Sequence, residues 1–206
     1  MYETTDPASL AADVDRLRER VRADRHTVSA PLVVFGVLVL GHAALAGTVG
    51  LAGAVASHLV SLLYWPLAGV AGLLALWNHA HRLAVRDGVG EGPRSYRPVT
   101  LGYVVSLPLI ALLFLPALFV GVFAPLVWPA AMLYAVAWRQ RSKTLRRVAT
   151  GLLAAGAVQV LLTMLLVRGG GTDSAAGAWT VVGLEVAAGL AMVLGASIAV
   201  RRARTA

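Results

Sequence analysis

From Leu101 to Trp138 the chain runs for 38 residues without one Asp, Glu, Lys or Arg. A helix needs about 20 apolar residues to cross ~30 Å of hydrocarbon, so this stretch is too long for one crossing. Pro116, Gly121 and Pro125 supply the material for a reversal. The stretch therefore reads as two helices, about Thr100 to Leu118 and Phe123 to Trp138. Four further runs have the length and polarity of spans: Ala30 to about Gly50, about Leu59 to His81, about Val148 to Val167, and about Ala178 to Val200. In the second, Tyr64-Trp65-Pro66 is either an interfacial anchor that opens the helix or a kink within it.

Composition supports a membrane class. Of 206 residues, 58% are apolar and 14% charged, and the mean hydropathy is +0.75. A soluble domain carries about 25% charged residues and could not cover a surface this apolar. The absence of cysteine excludes disulfide scaffolds, thiol nucleophiles and thiolate-held zinc or iron–sulfur centres.

The distribution of charge tests the count of spans. Arg16, Arg18, Arg20, Arg22 and Arg25 precede the first span. Arg82, Arg86, Arg94 and Arg97 follow the second. Arg139, Arg141, Lys143, Arg146 and Arg147 follow the fourth, and Arg201, Arg202 and Arg204 follow the sixth. Six spans place 17 of the 18 basic residues on one side, with Arg168 alone on the other. Cytoplasmic loops carry such an excess. The expectation is an all-α polytopic protein of the cytoplasmic membrane, with six transmembrane helices and both termini inside. Residues 1–28 would form a cytoplasmic amphipathic helix, 29–200 the membrane domain, and 201–206 a basic tail. The net charge of +8 then follows from insertion and contact with anionic lipid. No base-stacking aromatics accompany the arginines, so no nucleic-acid partner is expected.

Within residues 6–26, Asp6 and Pro7 supply a helix start. Leu10, Val14, Leu17 and Val21 then recur at spacings of 4, 3 and 4. This narrow stripe suits either a helix lying on the membrane surface or against the protein's own loops, or a docking helix for a cytoplasmic partner or a second copy. It is too short to specify a coiled coil. The Ala44-Leu45-Ala46 run matches a cleavage pattern, but the acid-rich segment before it is unlike a signal peptide. An uncleaved first helix is expected.

Glu185 is the one acidic residue well inside a span. A carboxyl at that depth must find a partner or water. At ~1.5 Å per residue it lies ~6 Å to the outer side of its span's centre, and His42 and Gln159 lie ~3 Å to the outer side of theirs. A structural polar cluster or a proton or cation relay would both use these three residues. On the same span Gly183, Ala187, Ala191, Gly195 and Ala199 place a small residue at every fourth position. Such a ladder lets helices pack closely. With Glu185 on another side, the sixth span is expected to pack on two faces and to be central.

No catalytic constellation is visible. Asn78-His79-Ala80-His81 sits at the end of a span, where polar anchors belong. Gly88, Gly90 and Gly92 lack the strand and the lysine of a phosphate cradle. There is no HExxH, no GxSxG and no aspartate pair within the spans. No metal site and no cofactor are expected.

Pro31-Leu32-Val33-Val34-Phe35-Gly36, Tyr64-Trp65-Pro66-Leu67-Ala68-Gly69 and Arg86-Asp87-Gly88-Val89-Gly90 together resemble a group of small multi-pass membrane proteins of actinobacteria. The resemblance covers residues 15–140. It implies a multi-pass topology and brings no activity or catalytic residue. The sequence thus favours a non-enzymatic accessory or regulatory membrane component acting through its cytoplasmic face, with the lipid bilayer as its first partner. The alternative is a small permease subunit or proton or cation pathway using Glu185.

Overall fold

A computed structural model of the chain describes residues 13, 14, 17, 28–50, 54–86, 88, 95–112, 123–168 and 175–205. Leu10 and Val21 of the N-terminal stripe, Pro116 and Gly121 of the expected reversal, and most of the Gly88 loop lie outside them. Asp13, Val14 and Leu17 are helical and exposed.

The described residues include six helices: α1 (Ser29–Gly50), α2 (Ala54–Arg86), α3 (Arg97–Leu112), α4 (Val127–Arg139), α5 (Lys143–Arg168) and α6 (Ala175–Thr205). No strand occurs among the described residues. Among the described residues, three stretches are long and apolar enough to cross a membrane: Ser29–Val49 in α1, Lys143–Leu166 in α5 and Trp179–Arg201 in α6. The described lengths of α3 and α4 are 16 and 13 residues, ~24 and ~20 Å. Between them a turn at Phe123–Leu126 buries Ala124, Pro125 and Leu126, and Ala124 O accepts the Val127 N–H at 2.9 Å.

Several boundaries differ from the hydropathy reading for one reason. Apolar runs mark the reach of hydrocarbon, whereas hydrogen-bonded helices continue into charged residues that favour helix. Thus α5 begins at Lys143 and α6 runs through Thr205, so Arg201 to Thr205 form its last turn. Between α4 and α5, Ser142 N–H bonds Ala137 O at 3.0 Å and Arg141 N–H bonds Trp138 O at 3.1 Å. Arg141 takes φ 55, the left-handed cap position usually filled by glycine. Ser142 Oγ then accepts the Leu145 N–H at 3.3 Å and caps α5.

The helices alternate in direction. Along α1, Gly36, His42 and Gly47 meet Val193, Glu185 and Val182 of α6 in descending order. Against α2, Leu38 lies beside Gly72 and Gly41 beside Tyr64. Tyr103 of α3 donates to Trp65 O of α2 at 3.1 Å, and Thr100 lies near Leu73 O. Gln140 at the end of α4 lies against Tyr96 at the start of α3. Arg82, Arg86, Arg97, Arg139, Lys143 and Arg201 consequently gather at one end of the bundle, and Arg168 lies at the other.

Helix α4 packs on four neighbours, α1, α2, α3 and α5, and α1 on three, α2, α4 and α6, whereas α6 packs chiefly on α1 and α5. The expectation that the sixth span is central is therefore corrected. The packing ladder needs the same correction. A methyl on Gly183 or Gly195 would meet nothing within 4 Å, and Gly183, Ala187 and Ala191 are exposed. The close approach occurs instead at Gly189, where an added Cβ would lie 3.2 Å from Gly36 O and 2.7 Å from Leu40 Cγ. Gly36 is the reciprocal position, 3.1 Å from Gly189 O. Two facing glycines let the α1 and α6 backbones meet. Around them the core includes Leu32, Phe35, Val39, Met192 and Ala196.

Candidate functional site: a buried polar triad

One helical turn beyond the glycine contact, the same α1–α6 register brings His42 to Glu185. His42 Nδ1 lies 2.7 Å from Glu185 Oε2. From α5, Gln159 Nε2 donates to Glu185 Oε1 at 2.9 Å. The three residues are 1%, 2% and 0% exposed, so three helices meet around one carboxyl that neither lipid nor water touches.

Helix α2 completes the enclosure. The Trp65 ring stacks on His42 with centroids 5.2 Å apart and planes at 30°. Tyr64 meets His42 at 5.2 Å and 59°, and meets Trp65 edge-on at 89°. The Tyr64 hydroxyl donates to Leu38 O at 2.6 Å. It reaches the α1 backbone over Gly41, where a methyl would stand 2.8 Å from the phenol oxygen.

Trp65 is fully buried, and Pro66 lies inside a continuous α2. This excludes the reading of Tyr64-Trp65-Pro66 as an interfacial anchor opening the helix. Sequence reasoning missed Trp65 and Tyr64 as walls of the site. Their depth was the available signal: both precede the middle of their apolar run, toward the same end of the bundle as His42 and Glu185.

The hydrogen bonds restrict where a proton can sit. A carboxamide nitrogen only donates, so Glu185 Oε1 is an acceptor. A proton on the carboxyl belongs on Oε2, facing His42 Nδ1. One proton can thus occupy either end of the 2.7 Å line, as N–H···O or as O–H···N. An overall neutral arrangement of the pair avoids an isolated charge in a low-dielectric interior. Two buried polar atoms at the site, Trp65 Nε1 and Gln159 Oε1, have no hydrogen-bond partner among the described residues.

The other candidate residues are not brought here. Gly183, Ala187, Ala191, Gly195 and Ala199 lie away from the triad's packed face, and Val14 and Leu17 are 46% and 59% exposed. His79 and His81 are exposed near the end of α2. No group of three potential metal ligands occurs among the described residues. No protein-family model, curated protein or solved structure matches this chain.

Proposed function

We propose that the chain is a six-span component of the cytoplasmic membrane, with both termini inside, that serves an accessory or regulatory role through its cytoplasmic face without catalysis. The observation that carries this reading is the sealing of the triad. The polar side chains of the triad bind one another at 2.7 and 2.9 Å, and among the described residues they leave no open reaction centre around them. In such a site the triad clasps α1, α5 and α6. Groups available to a partner then lie at the basic end and along the exposed Val14 and Leu17. The positive-inside rule assigns that end to the cytoplasm.

Two experiments test the proposal. A reporter fused after Gly121 is expected outside, and one fused after Lys143 inside. The same side for both contradicts the six-span topology. Affinity purification in mild detergent is expected to recover a cytoplasmic protein or a second copy with the full chain. Deleting residues 1–26 should remove it while insertion continues. Association unchanged by the deletion contradicts docking through that segment.

A second reading, a proton or cation pathway, is favoured by one specific observation: Trp65 Nε1 and Gln159 Oε1, beside the His42–Glu185 pair, have no hydrogen-bond partner among the described residues. Polar atoms buried without partners are rare in settled structural clusters. On this reading Glu185→Gln abolishes flux in liposomes while the protein folds normally. Absence of flux in the wild type removes it.

A further inference from the structure

The outward face of α2 changes character along its length. Leu63 and Leu67 project from the bundle, 60% and 71% exposed. Beyond them Ala71 and Ala75 leave a concavity of about 500 Å³, lined also by Leu74, Trp77, Asn78 and His81. The packed side of the same helix carries Gly72, Leu73 and Leu76, so this groove faces away from the protein core.

Its polarity is graded. Ala71, Leu74 and Ala75 make the deeper part apolar, while Asn78 and His81 make the shallower part polar. Arg82 and Arg86 follow at exposed positions, at the end of the bundle where the basic residues gather. Ala71 and His81 are ten residues apart, ~15 Å along a helix, which is half of a ~30 Å hydrocarbon core. The groove therefore has the depth of one leaflet. Trp77 stands between its two halves, suited to the boundary between chains and headgroups.

We infer that this groove binds one phospholipid of the inner leaflet with an anionic headgroup. An acyl chain lies along the shelf left by Ala71 and Ala75. The headgroup phosphate is met by the Asn78 amide and the Arg82 guanidinium, the guanidinium selecting negative charge. A partner helix would need an apolar strip along the whole groove, and Asn78 and His81 interrupt it. The inference rests on reading α2 as a span with its Arg86 end in the cytoplasm.

The test is native mass spectrometry of the full chain in detergent with equal amounts of phosphatidylglycerol and phosphatidylcholine. One phosphatidylglycerol is expected to be retained in preference. Arg82→Gln should lower that retention about fivefold and leave phosphatidylcholine unchanged. Ala75→Trp, which fills the shelf from an exposed position, should lower both. Equal retention of the two lipids, or retention indifferent to both variants, overturns the site. Because the chain has no cysteine, Leu67→Cys gives a single thiol for an impermeant maleimide in intact membranes. Protection of that thiol with failed lipid selection overturns the lipid site alone. Labelling of it overturns the span, and the lipid site with it.

Discussion

Gly189 and Gly183 occupy one helix six residues apart and meet opposite surroundings. At Gly189 a methyl would press against Leu40 Cγ and the Gly36 carbonyl, whereas at Gly183 it would meet nothing within 4 Å. The difference follows from the polar residue between them. Glu185 must be buried against partners, and Gly189, one turn along on the same face, is carried into the contact. Gly183 belongs to the ladder that points away, with Leu190, Leu194 and Ile198 also exposed on α6. A regular spacing of small residues says that close packing is sterically allowed. The buried carboxyl says which face is used.

The largest expected effect is on the packed face. Gly189→Leu forces a branched side chain against Leu40 and the α1 backbone. It should destabilise the protein by about 3 kcal/mol, read as a lower unfolding temperature in detergent and a reduced folded yield. On the other face, Gly183→Leu and Gly195→Leu should shift stability by no more than about 0.5 kcal/mol. A large loss at either position would break the comparison. An altered oligomer size with unchanged monomer stability would sharpen it, by assigning the ladder to a contact between copies.

A smaller effect lies at the basic end. Burial pushes the Tyr96 phenol above its ordinary value of 10.0, against a weaker lowering from Gln140. Its folded value therefore exceeds its unfolded one. The stability it contributes is fully present below pH 10 and is lost as pH rises through the folded value. Tyr96→Phe should flatten that alkaline loss in a pH series of thermal unfolding. An unchanged alkaline limb would show that Tyr96 does not set it.

Much of the fold was legible because hydrocarbon thickness imposes a length. The charge-free runs at Ala30, Val148 and Ala178 became the helices that, among the described residues, are long and apolar enough to cross a membrane, and their helical character needed only apolar length. The ends were less legible. Lys143 and Arg201 to Thr205 are helical although they lie outside the apolar runs. Depth arithmetic singled out His42, Gln159 and Glu185, and the structure joins them because the α1–α6 register aligns the first and last. It did not expose Trp65, since tryptophan at a span's edge and tryptophan in its core read alike in a linear sequence. Nor did it expose Gly36 and Gly189. Glycines are frequent in this chain, and only packing distinguishes those that another backbone approaches.

The central claim is that Glu185 is the shared internal partner of His42 and Gln159. Thermal unfolding of wild type, Glu185→Gln and Glu185→Leu in one detergent tests it most directly. Gln keeps the size of the side chain and much of the hydrogen bonding, so it should unfold close to wild type. Leu strands the polar groups of both partners and should be lower by about 1–3 kcal/mol. Equal stability of all three would contradict the account, because a carboxyl clasping two helices cannot be replaced by a hydrocarbon without loss.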